Sequence, residues 1–132
     1  MVEEEFLVRF NRNGPARRSS IERCQAQLNF SLPPDYIHFI QEANGGEGFI
    51  GKVYLVLWRI EDLVDMNSAY HVSEFVPGIF LFGSDGGDDA FGYDSRSETT
   101  GVISVPFVGM EFRALREVAP NFETFLNSLF RL

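Results

Sequence analysis

The chain has 132 residues, 45% of them hydrophobic and 14 of them Phe, which is material for one domain with one core and no covalent staple. A formal net charge of −8, with Lys52 the single lysine, argues against a nucleic-acid partner, since affinity for phosphate backbones comes mainly from Lys and Arg. Cys24 stands alone, so no intrachain disulfide is possible and a reducing cytoplasm is the expected home.

Met1-Val2-Glu3-Glu4-Glu5 is acidic and lacks a basic segment followed by an apolar run, so no signal peptide is expected. No apolar run approaches the roughly 18 residues of a membrane span. Residues 2–10 alternate loosely and read as a short strand or an extended arm, and Asn11 to Pro15 reads as a turn. Five arginines (Arg9, Arg12, Arg17, Arg18 and Arg23) form a local basic cluster, offset by Glu3, Glu4, Glu5 and Glu22. Ser19 followed by Glu22 has capping-box spacing, and Ile21, Cys24 and Leu28 keep helical spacing, so a helix is predicted over 20–28. Pro33-Pro34-Asp35 opens a second helix, whose apolar stripe is Tyr36, Ile37, Phe39, Ile40 and Ala43. Asn44-Gly45-Gly46 is predicted to close it with a left-handed cap.

The middle of the chain is rich in strands. Phe49-Ile50 and Val53 to Ile60 are β-branched or aromatic runs, followed by a predicted short helix over Glu61 to Tyr70. Ile79–Phe82, Ala90–Asp94 and Gly101–Val108 read as further strands, and Pro106 places the last at an edge or ends it early. Phe122, Phe125, Leu126, Leu129 and Phe130 repeat at helical spacing behind Asn121, a good N-cap. Two helices, then strands, then a helix is an α+β order rather than alternating βαβ.

The segment from Ile79 to Asp94 carries the strongest functional signal. An apolar run meets a turn built of Gly, Ser and Asp, and alternation then resumes. Asp85, Asp88 and Asp89 crowd three charges onto one loop, which water, backbone N–H groups or a partner must offset. A cation is one possible partner, but the EF-hand pattern fails because Ala90 falls where that pattern needs Gly. Gly46-Glu47-Gly48-Phe49-Ile50-Gly51 matches G-x-G-x-x-G, yet it follows a predicted helix and precedes a strand, the reverse of the dinucleotide-binding order, and reads as a turn. His38 and His71 lack neighbours at zinc spacing, and no G-x-S-x-G elbow is present. Cys24 lies on an apolar stripe and reads as a small core residue. Trp58, among Leu55, Val56, Leu57 and Ile60, belongs either to the core or to a binding surface.

Two motifs in order resemble a known family. Leu28-Asn29-Phe30-Ser31-Leu32-Pro33-Pro34-Asp35-Tyr36 is followed by Phe39 and Asn44-Gly45-Gly46, and then by Phe82-Gly83-Ser84-Asp85-Gly86-Gly87-Asp88-Asp89-Ala90-Phe91-Gly92-Tyr93-Asp94. Together with the Phe122–Phe130 helix, this order resembles the SUKH superfamily over about residues 20–130, in the branch of the yeast cell-wall assembly regulator and many bacterial immunity proteins. Two positions depart from its pattern: Gln25 stands where a Glu is frequent, and Asp88 where a Gly is frequent.

The resemblance implies an α+β fold with a curved, mainly antiparallel β-sheet flanked by N-terminal helices and a C-terminal helix, as one domain. It implies protein binding rather than catalysis, with no cofactor or metal and no catalytic residue to carry over. The leading expectation is a monomeric or weakly dimeric cytoplasmic immunity protein. It would neutralise a basic toxin domain through an acidic face carrying Glu47, Asp85, Asp88 and Asp89, with Trp58 as an aromatic contact. The alternatives are a regulatory or scaffold domain without a toxin partner, and a small-molecule or metal-binding module.

Overall fold

The computed structural model describes residues 7–132. Among them, seven strands form one antiparallel sheet whose spatial order is the sequence order. They are β1 (Phe10–Arg12), β2 (Gly46–Ile50), β3 (Val53–Leu57), β4 (Ile79–Ser84), β5 (Asp89–Asp94), β6 (Val102–Pro106) and β7 (Arg116–Ala119). The helices are α1 (Arg18–Ala26), α2 (Pro34–Glu42), α3 (Leu63–Ala69), α4 (Val72–Phe75) and α5 (Phe122–Phe130). The sheet is open, and the class is α+β, as the order of elements predicts.

Strand alternation sends successive side chains to opposite faces. Leu55, Leu57, Phe80, Phe82, Phe91, Tyr93 and Val102 share one core with α1, α2 and α5. Its centre is aromatic: Tyr36 of α2 and Phe122 of α5 meet with ring centroids 5.2 Å apart, and both touch Phe82 of β4. Ile79, Leu81, Ala90, Ile103 and Val105 point the other way and pack with Val72 and Val76 at α4. The second helical layer, absent from the sequence reading, therefore covers β4–β6 only.

Several elements differ from expectation. Residues 2–6 lie outside the described residues, and the first strand starts at Phe10. Asn11 and Arg12, expected in a turn, belong to β1 because they pair with Glu47 and Gly46 of β2. Ser19 lies inside α1 rather than capping it: the helix starts at Arg18, Arg17 is the N-cap residue, and Glu22 pairs with Arg18 at 3.0 Å. α2 ends at Glu42 with Ala43 extended, so no left-handed cap closes it. Gly46 instead serves strand approach, since a Cβ there would sit 2.2 Å from the Asn11 carbonyl oxygen. The G-x-G-x-x-G segment is β2 itself plus Gly51 of the β2–β3 turn, not only a turn.

β3 stops at Leu57, and Ile60 opens a 3-10 turn over Ile60–Asp62 that leads into α3. That turn and α3 occupy the helix predicted over Glu61 to Tyr70, and His71, in the left-handed region at φ 55°, then starts α4, which lies beyond the predicted helix. β6 is an interior strand that ends at Pro106, beyond the reach of β7, so of the two readings of that proline the early end is the one realised. β7 has no clear alternation in sequence and was not expected. At α5 the expected cap forms, with Asn121 Oδ1 accepting the Thr124 N–H at 2.7 Å.

Two amides, one buried and one half-buried, hold irregular joints. Asn44 is 4% exposed, accepts the Ile60 N–H at 2.8 Å and donates to Glu61 at 2.7 Å. Asn67 of α3 donates to the Leu81 carbonyl at 2.9 Å and accepts the Leu81 N–H at 2.8 Å. β3 pairs with β4 only at Ser84 and Gly83, so Asn67 supplies the hydrogen bonds that a longer β3 would have made.

Candidate functional site

Among the described residues, no helix lies on the face of β2 and β3 that points away from the aromatic core. In register, Glu47 pairs with Val56 and Phe49 with Tyr54, so these four share that face. Glu47 and Phe49 are exposed, and Tyr54 and Val56 are half-buried. The Tyr54 hydroxyl donates to Glu47 at 2.5 Å, and this bond to the carboxylate raises the tyrosine pKa above its ordinary value. Phe49 meets Tyr54 edge-on at 5.1 Å, and the Arg9 guanidinium lies 4.6 Å from the Phe49 ring centre.

The β4–β5 loop folds down beside this patch. Gly86 sits against Tyr54 with φ +78°, and a Cβ there would lie 2.9 Å from the ring. Asp85 shapes the turn: its Oδ1 accepts the N–H groups of Gly87 at 2.8 Å and Asp89 at 3.2 Å. Asp85, expected to meet a partner, is therefore first a turn residue. Asp88 is exposed, and its backbone carbonyl accepts the Phe107 N–H at 2.9 Å. Its φ is not positive, so the departure from the family's Gly needs no special backbone. Asp89 begins β5 one position before Ala90, and pleating turns it toward the face of Phe91, away from Glu47.

Phe107 continues the surface. Its ring lies 4.5 Å from Tyr70, and Tyr70 stacks on Trp58 at 6.2 Å with planes 14° apart. Trp58 is half-buried and packs against both cores, so it is a core residue with one accessible edge. Contacts thus run from Glu47 to Tyr54, from Tyr54 to Gly86 of the acidic loop, through the backbone bond of Asp88 to Phe107, and on to Tyr70 and Trp58. Of the five sequence candidates, Glu47, Asp85, Asp88 and Trp58 join this surface, and Asp89 stands at its rim. Sequence reading missed Phe49, Tyr54, Tyr70 and Phe107. Tyr54 and Val56 were hidden in an unbroken apolar run, although period-2 parity against Leu55 and Leu57 marks them as the opposite face.

The other titratable candidates are structural or solvated. Burial raises the Cys24 thiol, which makes it a poor nucleophile. His38 and His71 are exposed, beside Glu42 at 3.8 Å and Glu74 at 3.6 Å. Asp94 accepts the Arg96 guanidinium at 2.9 Å, and this bond holds its carboxyl below the usual range. Gln25 clamps the α1–α2 connection, donating to the Phe30 carbonyl at 2.6 Å and accepting the Leu32 N–H at 2.8 Å. A carboxylate there would lose the donor, so the amide fits the position. A cavity of about 450 Å³ between β1, α2 and α5 includes Asp35. That carboxylate already accepts the N–H groups of Tyr36 and Glu123, joining α2 to α5. Among the described residues, no group of three or more His, Cys, Asp or Glu is placed to hold a metal, and no helix is long and apolar enough to cross a membrane.

An open antiparallel sheet flanked by helices, with acids and aromatics on the half-bare part of one face, defines the class of α+β domain. The chain belongs to the SMI1 / KNR4 family (SUKH-1), which it matches over residues 15–128. No curated protein matches it closely enough to add a named relative.

Proposed function

We propose that this protein is an immunity-type binding domain that neutralises a basic toxin domain, without catalysis of its own, by covering it with the Glu47–Trp58 face. The observation that carries this reading is two aromatic groups, Phe49–Tyr54 and Trp58–Tyr70–Phe107, on either side of the acidic β4–β5 loop, with Glu47 bonded to Tyr54 and Asp88 exposed. Family membership supports protein binding in general. The net charge of −8 favours a basic partner by steering encounter. Tyrosine and tryptophan supply large, stiff contact area, and such residues dominate binding energy when a partner seals them from water. A free thiol at Cys24 fits action in the cytoplasm, as a monomer or weak dimer until the partner arrives.

The test is co-purification with the C-terminal domain of a toxin encoded beside this gene, together with a toxicity assay and binding kinetics across salt. A complex that abolishes toxicity, with an association rate that falls steeply as salt rises, is the expected result. A salt-independent association rate would sink the acidic face while leaving immunity standing. No complex and no such neighbour would overturn the immunity reading in favour of a regulatory or scaffold role.

A further inference from the structure

The basic cluster near the N-terminus is not absorbed by the binding face. The fold divides it. Arg18 is taken up by Glu22, Arg9 lies on Phe49, and Arg12 lines the cavity between β1, α2 and α5. Arg17 and Arg23 instead join Arg59, brought from beyond β3, around a second cavity of about 620 Å³. The size suits a small organic ligand. Its interior is polar: Ser20 and Asn44 are 8% and 4% exposed.

One carboxylate, Glu61, shares the cavity with the three guanidiniums, and it is already engaged. Burial would raise its pKa, but hydrogen bonds from Asn44, its own backbone N–H and Ser20, together with the Arg59 charge, outweigh this and keep it ionised. Arg59 reaches it only at 3.8 Å. Among the described residues, the side chains of Arg17 and Arg23 have no hydrogen bond or ion pair. Three guanidiniums facing one carboxylate leave the cavity net positive inside a strongly acidic protein.

The helix beside it sharpens the imbalance. α1 begins at the cavity wall with arginines at its N-cap and first position, no acidic residue in its first turn and no side-chain cap. Cations at the positive end of a helix dipole are unfavourable, and while the Ser20 and Ile21 N–H groups donate to the Arg17 carbonyl, those of Arg18 and Ser19 have no acceptor among the described residues. An anion in the cavity would relieve the mutual repulsion of the arginines and their clash with the dipole together. We infer that the Arg17–Arg23–Arg59 cavity binds a multiply charged oxyanion carried by a small molecule, a phosphate or a carboxylate. Guanidiniums bind either group with paired hydrogen bonds. This site is separate from the acidic face, so its failure would leave the proposed function untouched.

The test is thermal melting and calorimetric titration with pyrophosphate and with citrate, at fixed ionic strength. The wild type is compared with an Arg17→Ala/Arg23→Ala variant and with an Arg113→Ala/Arg116→Ala variant that matches its charge change. All four positions are exposed. The expected result is a rise of about 5 °C in Tm at millimolar pyrophosphate, kept in the control and lost in the cavity variant. An equal rise with citrate assigns a general oxyanion site, a rise with citrate alone assigns carboxylates, and a rise with pyrophosphate alone assigns phosphate. No rise with either anion, or an equal rise in the cavity variant, overturns the inference.

Discussion

The same outward face of the sheet is treated in two ways. Over β4–β6, α4 and the chain around it cover Leu81, Ala90, Ile103 and Val105, and these side chains are buried and aliphatic. Over β2–β3, no helix among the described residues covers Glu47, Phe49, Tyr54 and Val56; Glu47 and Phe49 are exposed, and Tyr54 and Val56 are half-buried beside the β4–β5 loop. The covered half buries apolar area inside one chain and contributes to stability. The bare half keeps aromatic area available, so a partner rather than the fold removes it from water. Trp58 stands at the border, packed against both cores and stacked on Tyr70.

The sharpest way to break this contrast is a buried charge. Val105→Asp should destabilise the protein by about 4 kcal/mol or more, or prevent folding, whereas Val56→Asp should cost about 1 kcal/mol or less. Urea unfolding of both variants measures the gap, and similar costs would mean that the β3 face is covered too. Asn67→Ala should cost about 2 kcal/mol, because it leaves the Leu81 N–H and carbonyl without partners in the covered half. A loss near zero would show that β4 closes without α3.

On the bare half, Glu47→Gln combined with Asp88→Asn should leave stability within about 0.5 kcal/mol and slow association with a basic partner about tenfold at low salt. Stopped-flow mixing measures the rate, and an unchanged value would remove these acids from the encounter. The smallest effect belongs to Tyr54. Its bond to Glu47 raises its folded pKa, so the stabilisation is fully present below about pH 10 and is lost as pH rises through the folded value. The stability difference between wild type and Tyr54→Phe should therefore be flat below about pH 9 and shrink above about pH 10, read by urea unfolding. A difference that grows with alkaline pH would reverse the assignment of the bond.

Local rules made much of the fold legible. Proline in the first turn of α2, the Asn121 cap of α5 and its helical apolar spacing are chemistry within a few residues, and each appears as expected. The acidic turn between β4 and β5 was legible for the same reason. The failures share a different cause. Ser19 had the right spacing for a cap, but the start of α1 falls at Arg18. Asn11 and Arg12 had turn chemistry, but pairing with β2 made them a strand.

The sequence by itself determined the class of fold, the starts of α2 and α5, the acidity of the β4–β5 loop and the family resemblance, because propensity, capping and turn chemistry act locally. Tertiary structure alone decided which face of β3 stays bare, that Asp85 serves its own turn while Asp88 faces outward, and that Arg17 and Arg23 meet Arg59. Those outcomes depend on register and on helices from distant parts of the chain, and pairing energies between remote segments leave no pattern at short spacing.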